Sequence, residues 1–151
     1  MIEKGTRALI VDDDPFVCEM LAMILEGAGF ASEMAASGED AYGKLKAGAA
    51  FDLIVSDMNM PGMGGLELIR KIRADGIDTP VIMLTGNSEV SSAMEAIRSG
   101  ADDYLTKDEN IQDTVVFSAG RVLEQHRMKM RIIQLEKELA DLKAAMEKDR
   151  A

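Results

Sequence analysis

Five short apolar runs alternate with longer segments whose apolar residues recur every three or four positions. The runs fall near residues 7–11, 30–34, 52–56, 80–84 and 102–105, and the amphipathic segments between them near 15–28, 38–48, 65–74 and 88–98. Runs this short suit buried strands, whereas stretches of ten or more residues with a helical period suit helices packed on one side. A strand and helix unit repeated five times predicts an α/β fold: a parallel sheet with helices on both faces, joined by right-handed crossovers. In such sheets ligands gather beyond the carboxyl ends of the strands, near a topological switch point. Asp12, Asp13, Asp57 and Thr85 all fall at those ends.

Local signals agree with this order. Pro15 suits the first turn of a helix capped by Asp14, and Ser37 with Glu39 and Asp40 opens the second helix. Gly27 and Gly29 close the first helix, and Gly100 stops the fourth just before the last strand.

The fifth helix has no evident stop. From Ile111 to about Lys148 only Gly120 interrupts, at a cost of about 1 kcal/mol relative to alanine, and no proline occurs. Nearly 40 residues of helix span about 55–60 Å, so the outer half must leave a small globule. There Gln125, Met128, Ile132, Leu135, Leu139, Leu142 and Met146 follow each other at alternating steps of three and four. With Ile132 at position a, Glu124, Arg131 and Glu138 occupy g and Lys129, Glu136 and Lys143 occupy e. Two parallel copies in register therefore form opposite-charge pairs, and a shift of one heptad opposes like charges. A homodimer through this coiled coil is expected. The expected division is a globular domain over residues 1–120 and a helical extension over 121–151, the latter a dimerisation element and linker to a possible output domain.

Charge sharpens that division. The chain of 151 residues carries a formal charge of −10. Residues 1–120 hold 9 Lys/Arg against 21 Asp/Glu, a net of −12, while the remainder holds 8 against 6, a net of +2. So acidic a globular part argues against direct binding of DNA or an anionic membrane. No run approaches the roughly 18 apolar residues of a membrane span, and the first residues lack the apolar core of a signal peptide. The single cysteine, Cys18, cannot form an internal disulfide and reads as a small buried hydrophobe in a reducing compartment. A cytoplasmic protein is expected.

Chemistry enters with the carboxylates. If the first and third strands are neighbours, Asp12, Asp13 and Asp57 converge at one sheet edge. Three carboxylates there repel each other unless they are protonated or bridged by a cation, and an all-oxygen ligand set suits Mg²⁺.

Five sequence features then stand in order: Val11-Asp12-Asp13; Asp57 ahead of Met60-Pro61-Gly62; Gly65-Leu66-Glu67; Leu84-Thr85-Gly86; and Tyr104-Leu105-Thr106-Lys107. Over residues 6–120 the chain resembles the CheY-like receiver domain of two-component response regulators. That resemblance implies the strand order 2-1-3-4-5. It also implies Mg²⁺-dependent phosphoryl transfer to Asp57 from a sensor histidine kinase, a phosphotransfer protein or a small phosphodonor, followed by self-catalysed hydrolysis. Asp13, Asp57 and the main-chain carbonyl of Asn59 would hold the metal directly, and Asp12 through water. Lys107 would pair with Asp57 at rest and with a phosphoryl oxygen afterwards. Thr85 would reach that oxygen, and Tyr104 would turn into the space Thr85 leaves, altering the face built by the fourth helix, fifth strand and fifth helix. The chain would be a phosphoacceptor switch and not an enzyme acting on foreign substrates.

Two departures from the family pattern stand out. Asp108 follows Lys107 where receivers usually have proline across a cis bond, so a trans, more mobile loop and a less firmly held lysine are expected. Gly64 stands where an acidic residue is common. Asn59 and Asn87 sit where side chains can admit or exclude attacking water, and Met58 and Met60 are expected to flank the entrance. His126, the only histidine, reads as an ordinary solvent-facing or interface residue.

Two rival readings remain. A phosphatase of the haloacid-dehalogenase kind needs its Asp-x-Asp after the first strand, yet the nearest match, Asp57-Met58-Asn59, follows the third. A degenerate receiver serving as a phosphorylation-independent dimerisation scaffold is the alternative for which the missing proline speaks. Because the chain stops on a charged coil, a piece of a longer regulator is the favoured expectation over a single-domain one.

Overall fold

In the computed structural model, which describes residues 2–3, 5–86 and 90–150, five parallel strands form one sheet. They are β1 (Arg7–Val11), β2 (Ala31–Ala35), β3 (Leu53–Asp57), β4 (Val81–Thr85) and β5 (Asp103–Thr106), in the spatial order β2-β1-β3-β4-β5. The helices are α1 (Pro15–Gly27), α2 (Gly38–Lys46), α3 (Gly65–Ala74), α4 (Val90–Arg98) and α5 (Ile111–Asp149). The α/β class and the order 2-1-3-4-5 are as expected. Every strand after the first begins one residue later than the hydrophobic pattern suggests. Pairing with neighbours sets those starts: Ala31 lies opposite Arg7, Leu53 opposite Ala8, Val81 opposite Ile54 and Asp103 opposite Ile82. The start of the fourth amphipathic segment and Asn87 lie outside the described residues.

Strand alternation divides the core in two. Leu9, Val11, Ile54, Val81 and Met83 point to one face, where α2, α3 and α4 contribute Ala41, Leu45, Leu68, Ile69, Ile72 and Ala96. Ala8, Ile10, Leu53, Val55, Ile82 and Leu84 point to the other, against Cys18, Leu21 and Leu25 of α1 and Ile111, Val115, Ala119 and Val122 of α5. Both faces of β3 and β4 are covered, and their residues are all buried. This is why they read as unbroken apolar runs without alternation.

The caps follow the sequence signals. Asp14 accepts from the Phe16 N–H at the head of α1, with Pro15 at the first helical position. Ser37 Oγ accepts from the Asp40 N–H, and the Asp40 carboxylate accepts in return from the Ala36 N–H, which ties both sides of the α2 start. Gly100, at φ +112°, turns the chain from α4 into β5.

Helix α5 is a single helix of 39 residues. Its buried positions end at Val122. Beyond them Met128, Ile132, Leu135, Leu139, Leu142 and Met146 are all exposed.

Candidate functional site

At their carboxyl ends main-chain bonds join β1 to β2, β3 to β4 and β4 to β5. The Asp12 N–H donates to the Ala35 carbonyl, Met58 N–H to Leu84, and Lys107 N–H to Thr85. Each functional side chain is thus carried by a strand end or by the first residues after one. In register terms β1 and β3 are direct neighbours, as the convergence of their acidic residues requires.

Asp12, Asp13 and Asp57 come together. Each offers a carboxylate oxygen, and these lie within 4.8 Å of one another. Asp12 and Asp57 are buried and Asp13 is exposed. Mg²⁺ holds oxygen ligands at about 2.1 Å, so adjacent ligands sit about 3 Å apart. A cluster this open matches a mixture of direct and water-bridged contacts, and its hard-oxygen chemistry fits a divalent cation.

Lys107 supplies the counter-charge from the β5 end. Its Nζ lies 3.1 Å from Asp57 Oδ1 and 2.8 Å from Asp12 Oδ2. The bond to Asp57 matches expectation; the shorter one to Asp12 had no sequence signal. Asp12 Oδ1 accepts the Asp14 N–H, so both Asp12 oxygens are engaged. There is no cis peptide bond among the described residues, in line with Asp108 in place of proline. Lys107 is nonetheless held at three points, by its main-chain N–H and by two carboxylates.

Burial and charge set the titration of the site. Burial pushes the Asp57 carboxyl above its ordinary range and outweighs the Lys107 ammonium, which pulls it down; the Asp12 charge adds to the rise and the Asn59 N–H opposes it. For Lys107 burial works against the ammonium, but hydrogen bonds to Asp12 and Asp57 outweigh it and the amine titrates higher than usual. Burial also pushes the Cys18 thiol up to about 11, aided by the Asp12 charge. Its Sγ donates to the Asp12 carbonyl, so the thiol packs beneath the cluster.

The turn from β3 to α3 is shaped by close approaches. A side chain at Gly65 would place Cβ 2.6 Å from Met83 Sδ and closer still to the Asp57 carbonyl oxygen, so α3 can start here only on glycine. Gly62 has φ +73°, and Glu39 from α2 accepts the Met63 N–H beside it. That Glu39 contact holds the loop carrying Asn59. In sequence Glu39 is legible only as an acidic residue in a helix's first turn. Met60 is turned into the core and not toward an entrance, because the loop folds back and buries it with Met63. Met58 is half-buried.

Thr85 and Tyr104 lie on one face of the sheet. Alternation puts Thr85 on the side of Val81 and Met83, and half-buried Tyr104 packs against that same cluster. Asp57 shares the parity of Leu53 and Val55, whose cluster lies on the other face.

This fold and site define the class. A sequence model described as the response regulator receiver domain matches residues 8–117, and the chain belongs to that family. It is the receiver domain of a two-component response regulator, a signalling domain and not a classical enzyme. Among curated relatives it is 39% identical over 138 residues to the transcriptional regulatory protein FixJ of Azorhizobium caulinodans, covering 88% of this chain and 64% of FixJ. It is 38% identical over 101 residues to the DNA-binding response regulator MtrA of Mycolicibacterium smegmatis, covering 67% of this chain and 43% of MtrA. The chain thus spans about half the length of these relatives. Among solved structures it resembles chemotaxis protein CheY4 of Vibrio cholerae, with a TM-score of 0.72 at 34% identity, covering 78% of this chain and 98% of that one. It also resembles response regulator TrrA of Thermotoga maritima, solved with Mg²⁺ and BeF, with a TM-score of 0.70 at 33% identity, covering 78% of this chain and 98% of that one. Among the described residues no helix is long and apolar enough to cross a membrane.

Proposed function

We propose that this chain is a phosphoacceptor switch in which Asp57 takes a phosphoryl group from a sensor histidine kinase, a phosphotransfer protein or a small phosphodonor. The observation that carries the reading is the Lys107 ammonium 3.1 Å from the Asp57 carboxylate, inside a cluster of three carboxylates. A carboxylate attacks phosphorus only where the phosphoryl charge is neutralised from more than one side. Asp13, Asp57 and the Asn59 carbonyl would hold Mg²⁺, with Asp12 reaching it through water. When bound, the ion neutralises charge on the phosphoryl oxygens.

The protein's own groups do the rest. An Asp57 oxygen forms the new O–P bond as the donor's N–P or O–P bond breaks, and a nitrogen leaving group on a kinase histidine departs as imidazole. Lys107 releases Asp57 and takes a phosphoryl oxygen. The new group brings roughly −1.5 to −2 charges and three acceptor oxygens. Thr85 turns toward them and Tyr104 moves into the space it leaves, which alters the α4, β5 and α5 face. The shared sheet face of Thr85 and Tyr104 supports this coupling.

The reading extends to the division at residue 120 and to a parallel homodimer through the coil, which couples the altered face to an output partner. It includes a cytoplasmic setting and no nucleic-acid contact by this chain itself; DNA binding is named for MtrA. The test is incubation with acetyl phosphate and Mg²⁺, followed by intact mass, for wild type and Asp57→Ala. An Asp57-dependent phosphoryl mass is expected. Its absence would leave the phosphorylation-independent dimerisation scaffold as the better reading.

A further inference from the structure

The loop between β3 and α3 carries Asn59, whose N–H donates to the Asp57 carboxylate and whose carbonyl is assigned to Mg²⁺ in the reading above. Its own sequence holds it poorly. Glycine stands at 62, 64 and 65, and Gly62 sits at φ +73°, so few side chains restrict the backbone here. The ends are fixed: the Met58 N–H donates to the Leu84 carbonyl, and the Gly65 N–H to the Met58 carbonyl. Between them Met60 and Met63 are buried, but unbranched thioether chains adapt to the space they fill and set the depth of a loop better than its direction.

Helix α2 meets this loop with its first turn. Gly38 is buried, and a side chain there would set Cβ 2.9 Å from both Cβ and Cγ of Met63, so the start of the helix lies flush on Met63. The next residue, Glu39, accepts the Met63 N–H at 2.5 Å. Its Oε1 also lies 2.6 Å from where a side chain on Gly62 would begin, so the carboxylate rests against the bare glycine. The carboxylate is itself fixed, because its own N–H and the Ser37 hydroxyl donate to it as well. Bonds to an ionised acceptor are shorter and stronger than neutral ones. One exposed side chain thus clamps the loop where glycine leaves it free.

We infer that Glu39 is a positioning residue for the metal site: by holding Gly62 and Met63 it keeps the Asn59 main chain where its carbonyl can serve the ion. The inference rests on the metal reading proposed above. It extends the site to α2, which supplies none of the three clustered carboxylates. Groups that orient a metal ligand commonly contribute about 10–100-fold in affinity. Glu39 acts one step further out, through the loop, so a loss of about tenfold is expected without it. A mere brace for the fold would change stability and leave the affinity for Mg²⁺ alone.

The test compares the full chain with Glu39→Ala, which removes the acceptor, and Glu39→Gln, which keeps an acceptor oxygen and removes the charge. In chelator, amide hydrogen exchange followed by NMR should show Met63 and Asn59 exchanging faster in Glu39→Ala, with the amides of β3 and β4 at wild-type rates. Titration with Mg²⁺, read from the amide shifts around Asp12, Asp13 and Asp57, should then give a dissociation constant about tenfold higher for Glu39→Ala, with Glu39→Gln between it and wild type. An affinity of Glu39→Ala within about twofold of wild type overturns the inference and leaves the metal reading standing. Equal losses in Glu39→Ala and Glu39→Gln overturn it too, since they assign the effect to charge and not to the bond. Wild-type amides that do not respond to Mg²⁺ sink the metal reading itself. Should Glu39→Ala fail to fold, Glu39→Asp, which keeps the charge at the helix start and shortens the reach, takes its place with the same expected loss.

Discussion

Removing the Lys107 ammonium should turn the site from balanced to self-repelling. Lys107→Met keeps the aliphatic stem and deletes the charge that lies 2.8 Å from Asp12 and 3.1 Å from Asp57. At an effective dielectric near 20, each contact corresponds to about 5–6 kcal/mol of bare attraction. The variant no longer desolvates an ammonium, so the net loss is smaller. Breaking one partner out of a buried pair typically costs about 3–5 kcal/mol, and the partial exposure of Lys107 argues for about 3 kcal/mol. With a urea slope near 2 kcal/mol per molar, that is a midpoint about 1.5 M lower.

The loss should depend on conditions in two ways. Mg²⁺ binds the folded cluster and not the unfolded chain, so about 10 mM should shrink the gap between variant and wild type. Acid should shrink it as well. Asp57 already titrates above its ordinary range because burial outweighs Lys107, and deleting Lys107 removes contributions that pull it down. A carboxyl raised in the folded state favours folding when protonated, so the variant regains stability as pH falls through its folded value toward the unfolded one. In wild type the Lys107 contribution has the opposite edge. Its raised amine stabilises fully below about 10.4, the ordinary lysine value, and loses that contribution as pH rises through the folded value. Urea unfolding followed by far-ultraviolet circular dichroism, in chelator or Mg²⁺ and at pH 7 or 5, reads all of this. A loss under about 1 kcal/mol in chelator, or one unchanged by both Mg²⁺ and acid, would refute the electrostatic account.

Two further outcomes are expected. Gly65→Ala should cost at least about 1–3 kcal/mol by overpacking, since its Cβ meets Met83 Sδ at 2.6 Å and presses the Asp57 carbonyl; it should also slow acetyl phosphate labelling of Asp57, and a variant with wild-type midpoint and rate would contradict the close approach. Cys18 should be inert in the native protein, because a thiol pushed up to about 11 is only about one part in a thousand thiolate at pH 8 and is buried as well. Its labelling by a thiol reagent should follow unfolding by urea, and rapid labelling without denaturant would contradict the burial.

Much of this protein is legible in its sequence because its local signals agree with one another. Apolar runs bounded by Asp14 with Pro15, by Ser37 and by Gly100 mark the alternating elements, and the placement of Asp12, Asp13, Asp57 and Thr85 at strand ends marks the candidate site. The long α5 is legible for the same reason, since nothing between Ile111 and Asp149 offers a helix a reason to stop. Those are properties of neighbours along the chain.

What the sequence leaves open depends on partners distant along it. The limits of β3 and β4 come from the register Asp57 to Leu84, not from hydrophobicity. Lys107 meets Asp12 across 95 residues, and Glu39 reaches the Met63 N–H from another helix; a periodicity cannot carry either distance. Met60, read as a rim residue, is buried because the turn at Gly62 folds it inward. Sequence alone determined which residues are available for chemistry and in what order of elements, because propensity, caps and period are local. Only the tertiary structure decided which charges face each other and which face of α5 remains open, because burial and electrostatic pairing belong to distances in space.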